Sequence, residues 1–103
     1  MDIIVDRPQL VRTVLLYLNI NFGDLTPKKD KDQPNLVFYL NDNNQDLMEY
    51  DEKTEDIWID YNQIWSKIES LFSLNYFEVQ SIMSIWLKDT YKLEGVKCEA
   101  QWG

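Results

Sequence analysis

"LVFYLNDNNQDLMEYDEKTEDIWID", residues 36–60, contains three short runs rich in aromatic and branched side chains: LVFYL, DLMEYD and DIWID. NDNNQ and EKTE separate them, and their polar composition suits tight turns. Three such runs in close succession predict a three-stranded antiparallel meander. Successive strand side chains alternate between faces, so Ile57 and Ile59 turned toward a core place Trp58 on the other side, between Asp56 and Asp60. With Leu36, Phe38 and Leu40 set inward, Val37 and Tyr39 point away. In the middle run Met48 and Tyr50 belong inward, because Leu47 shares its side with Glu49 and Asp51. The expected outer face is Val37, Tyr39, Leu47 and Trp58 with a rim of Glu49, Asp51 and Asp56.

Helical periodicity flanks the meander on both sides. Each of three segments opens with Asp or Asn followed three residues later by Gln or Glu, a pairing that satisfies free backbone N–H groups at a helix start. Asp6 and Gln9 precede Leu10, Val11, Val14, Leu15 and Leu18, with Asn19 to Gly23 as the stop. Asp60 and Gln63 precede Ile64, Trp65, Ile68, Leu71 and Phe72. Asn75 and Glu78 precede Val79, Ile82, Met83, Trp86 and Leu87, with Gly95 as a C-terminal cap. GDLTPKKDKDQPN, residues 23–35, carries two prolines and the chain's one basic cluster and is expected to be a loop. Near the end, Val96, Cys98, Ala100 and Trp102 alternate with Lys97, Glu99 and Gln101, the period of a half-buried strand.

The order is therefore helix, three-stranded antiparallel meander, two helices and a candidate C-terminal strand. Segregated strands and helices imply an α+β, two-layer single domain over residues 1–103, with helices on one face of the sheet. A chain of 103 residues is too short for two self-sufficient cores, and its 45% hydrophobic content is enough for one. Cys98 has no second cysteine to pair with, the N-terminus lacks an export signal's basic start, and no run approaches the roughly 18 apolar residues of a membrane span. The expected location is cytoplasmic, without a membrane partner.

Several chemistries find no residues to carry them. The absence of histidine removes the commonest general base, the Ser-His and Cys-His pairs and histidine-containing zinc sites. Three glycines far apart form no phosphate-cradling loop. Asp42, Asn44 and Asp46 fit the first ligand positions of a calcium loop, but Leu47 stands where that loop turns on glycine and Lys53 where it needs a bidentate glutamate. Cys98 fits an apolar strand face better than a nucleophile's setting. No enzyme activity, metal or cofactor is expected.

The net charge of −8 is local in origin. Residues 42–60 hold eight acids against Lys53 alone, while the other ten acids face nine bases. Such a focus repels nucleic acid and steers encounter with a basic protein surface. The expected function is a small acidic binding protein that engages a basic partner through Glu49, Asp51, Glu52, Glu55, Asp56, Trp58 and Tyr39. An inhibitor of a nucleic-acid-handling protein, as in immunity, antitoxin or phage anti-defence systems, would use this physics. The alternative is a structural subunit or homodimer built by sheet-edge pairing, with acids that serve solubility alone.

Overall fold

Ile57 and Ile59 are fully buried at the heart of a five-stranded sheet in the computed structural model, which describes residues 7–102. Burying each isoleucine is worth about 1.5–3 kcal/mol, so a one-residue slip that exposed both would cost several kcal/mol. These two residues set which face of the sheet the helices cover.

The elements in chain order are α1 (Pro8–Phe22), β1 (Thr26–Lys29), β2 (Leu36–Leu40), β3 (Asp46–Asp51), β4 (Asp56–Asp60), a π-helical turn (Tyr61–Trp65), α2 (Ser66–Phe72), α3 (Tyr76–Tyr91) and β5 (Lys97–Gln101). The α+β reading and its element order hold. The sheet runs β1-β2-β3-β4-β5, antiparallel through β4 and parallel between β4 and β5. Parallel neighbours need a long crossover, which α2 and α3 supply. Val14 and Leu18 of α1, Ile68 of α2, and Val79, Ile82, Met83, Trp86 and Leu87 of α3 are buried against Tyr39, Met48, Ile57, Ile59, Cys98 and Ala100 of the sheet.

The helix starts follow local chemistry. Asn75 and Glu78 form the reciprocal box expected of them, each side chain accepting the other's backbone N–H at 2.9 Å. Asp60 accepts the Gln63 N–H at 2.7 Å, but the turn it opens is π-helical, with the Ser66 N–H reaching back to the Tyr61 carbonyl. Asp6 lies outside the described residues; α1 begins with Pro8, whose missing N–H costs nothing in a first turn. Gly23 closes α1, and a Cβ there would stand 2.4 Å from the Asn19 carbonyl oxygen. Gly95 does not cap α3. Lys92 does, at φ 60°, with the Leu93 N–H reaching back to Leu87 in a Schellman-type closure.

Three expectations about the strands are corrected. First, the 23–35 segment is not wholly loop, because Thr26–Lys29 pairs with β2. Tyr91 anchors its start: the phenol donates to the Phe22 carbonyl and accepts the Leu25 N–H, and Leu25 is buried beside it. Second, β2 is reversed. Val37 and Tyr39 are buried, while Leu36, Phe38 and Leu40 are half-exposed on the opposite face. All five residues of LVFYL are apolar, so the strand has no polar side of its own, and pairing of Tyr39 with Met48 and of Met48 with Ile59 decides its orientation. Third, Leu47 is buried rather than outward. Register slips between Tyr39 and Leu40, which pair with Met48 and Asp46, so Leu47 is the extra residue of a bulge and escapes strict alternation.

Candidate functional site

The helices pack on one face of the sheet, and among the described residues no element covers the other. Across it the register aligns Lys28, Phe38, Glu49, Trp58 and Glu99 in a single row, one residue from each strand. Neighbouring strands lie about 4.8 Å apart, so Glu49 and Glu99 flank Trp58 on either side. Two residues away along β4, on the same face, stand Asp56 and Asp60. Trp58 is thus framed by four carboxylates.

Leu36, Phe38, Leu40 and Trp58 are half-buried, and none of them packs against the core. Among the described residues, none of Glu49, Asp56 and Glu99 is ion-paired; the Asp60 carboxylate is occupied by its helix cap. Near the β1 end a groove of about 510 Å³ is lined by Phe38 and Leu40, by Lys28, Lys29 and Lys31, and by Asp30, Asp32 and Asp46. The end of the face at β1 is thus of mixed charge, while around Trp58 the carboxylates of Glu49, Asp56, Asp60 and Glu99 outnumber Lys97, which stands in register with Asp56 on the same face. Asp46 sits in the lining of the groove, where burial, then repulsion from Glu49 and Asp60, pushes its carboxyl up to about 6.

The residues singled out from sequence divide into two groups. Glu49, Asp56 and Trp58 come together on the open face. Glu52 and Glu55 project from the β3–β4 turn, where Lys29 reaches Glu52 at 3.1 Å and Glu55 adopts a left-handed φ of 62°. Asp51 has a structural task in that turn, its carboxylate accepting from the Lys53 and Thr54 N–H groups and from the Asn35 amide at 2.9, 3.2 and 3.0 Å. Those bonds to the ionised form, with Asn35 the largest contributor, hold its carboxyl below the usual range. Tyr39 is on the helix-covered side, its ring edge-on to Tyr91 with centroids 5.2 Å apart, and it offers no surface to a partner at the open face.

Sequence reasoning missed Phe38, Leu36 and Leu40, for which LVFYL holds no signal. It also missed Glu99, which alternation in VKCEAQW had marked as polar-facing. Only the pairing of β5 with β4 brings Glu99 beside Trp58. Among the described residues no group of three or more potential metal-ligating side chains forms, and no helix is long and apolar enough to cross a membrane. Comparison with protein-family models, with curated proteins and with solved structures finds no match.

Proposed function

We propose that the protein is a small binding module that docks its open sheet face onto a basic protein surface. The observation that carries this reading is Trp58 framed by Glu49, Glu99, Asp56 and Asp60 on a face that no described element covers. Large aromatic side chains supply binding energy at interfaces, and a focused charge of one sign steers encounter and excludes like-charged partners. A surface evolved to hold phosphates is the kind of basic surface such a face complements, so the partner class is a nucleic-acid-handling protein that the module blocks.

Self-association by edge pairing is the weaker reading, because both edges are blunted. The Lys97 N–H donates toward β4 at Glu55, which leaves the backbone groups of Cys98 and Ala100 on the free edge. There the Gln80 amide donates to the Cys98 carbonyl at 2.6 Å and the Tyr76 hydroxyl accepts the Ala100 N–H at 3.1 Å. At the other edge Asp30 donates to Leu36, so the groups of Pro27 and Lys29 face outward, and Pro27 has no N–H to offer. Proline and lysine are common means of keeping an edge strand unpaired.

Paired affinity capture tests the proposal, with the natural protein and a Glu49→Lys, Asp56→Lys, Glu99→Lys variant as baits. The expected result is a basic protein retained by the first, released by salt and absent from the second. Equal capture by both baits would overturn it.

A further inference from the structure

We infer that the open face receives an arginine side chain of the partner, its guanidinium lying flat on the Trp58 indole between Glu49 and Glu99. This rests on the open face being the docking surface and names what it recognises. The ground is charge complementarity at the scale of one side chain. A cation over an indole face is attracted by the ring's negative face. The two flanking carboxylates sit one strand away on each side, and among the described residues neither Glu49 nor Glu99 is ion-paired, Lys97 on the same face being in register with Asp56 instead.

That layout discriminates between the two basic side chains. A guanidinium is planar, so stacking on the ring directs its N–H groups sideways, toward carboxylates placed on both flanks. A lysine ammonium is a compact, strongly hydrated charge that gains less from the ring and has no planar fork to span the two acids. Asp56, two residues along β4, stands in register with Lys97 of β5, so Glu49 and Glu99 are the acceptors that flank the stacked group. Lys28, at the opposite end of the row, is about 14 Å from Trp58 by strand spacing. It gives the face a direction, with the partner's arginine over β4 and neutral or acidic groups over β1.

Hexa-arginine and hexa-lysine peptides are suitable probes because they carry equal charge. Each is titrated into isotopically labelled protein at low salt, with the Trp58 indole N–H and the Glu49 and Glu99 amides followed by NMR. The arginine peptide should shift these signals and bind about tenfold more tightly than the lysine peptide. Trp58→Ala should erase that preference while general electrostatic attraction remains, and Trp58→Phe should restore part of it. Trp58 does not pack against the core, so both variants should keep native spectra. Equal affinity for both peptides, or shifts confined to the Glu52–Glu55 turn with Trp58 unmoved, would overturn the inference and leave the acidic-surface reading in place. If neither peptide binds, the reading of the face as a basic-partner surface fails with it.

Discussion

The carboxylate of Asp51 accepts the side-chain amide of Asn35 at 3.0 Å, joining the end of β3 to the residue before β2. The same oxygen takes two backbone N–H groups of the following turn. An acid that composition marks as part of a charged surface is therefore a fastening inside the meander. Asp51→Ala should lower Tm by calorimetry, and Asp51→Asn, which keeps an acceptor, should recover part of the loss. Because its carboxyl is held below the usual range, the stability it contributes is present above the unfolded value of about 3.9 and is lost as pH falls through the folded value. An unchanged Tm in the alanine variant would contradict this role.

Asn19 ties α1 to α3. Its side-chain oxygen accepts the Trp86 indole N–H at 2.9 Å and the Thr90 hydroxyl at 2.8 Å, while Trp86 is fully buried. Asn19→Leu strands the indole N–H without a partner and should cost about 1–3 kcal/mol in denaturant unfolding. A loss below the measurement error would show that water replaces the bond.

The blunted β5 edge makes a prediction about assembly. Sedimentation at micromolar concentration should find the natural protein monomeric, and Gln80→Ala with Tyr76→Phe should introduce concentration-dependent association by freeing edge groups. A stable natural homodimer that dissociates on changing Val96 or Trp102 would instead favour the edge-pairing reading.

Asp46 gives the face a pH dependence. A carboxyl raised to about 6 is penalised when ionised in the folded state, so the fold should gain stability as pH falls from neutrality through about 6 toward the unfolded value of about 3.9. Over the same interval the face loses negative charge, and affinity for a cationic peptide should decline. Asp46→Asn should flatten both profiles between neutrality and about 6. Identical profiles for the two proteins would remove Asp46 from the account.

Cys98 is buried, and desolvation, with Glu99 adding to it, pushes its thiol up to about 12. It should resist a thiol-specific reagent at neutral pH until the protein unfolds, so labelling serves as a probe of global stability. Rapid labelling of the native protein would show that β5 opens locally.

Much of the fold was legible because its determinants are local. Asn75 and Glu78 sit three residues apart and find each other across one helical turn. The alternation of DIWID around Trp58, and that of VKCEAQW around Cys98, place those residues correctly without knowledge of their neighbours. The open face of β2 was not legible for the opposite reason: five consecutive apolar residues contain no alternation, so only its pairing with β3 chooses a side. Likewise TPKK has the composition of a loop, and it becomes a strand because Tyr91, at the far end of α3, holds the backbone at Phe22 and Leu25. By itself the sequence determined an α+β order, a covered face bearing Ile57 and Ile59, and an outward Trp58 in acidic company. The tertiary structure alone decided that Phe38 and Glu99 join Trp58, that Asp51 is a fastening and that Tyr39 is core, because each depends on strand register, which links residues distant in the chain.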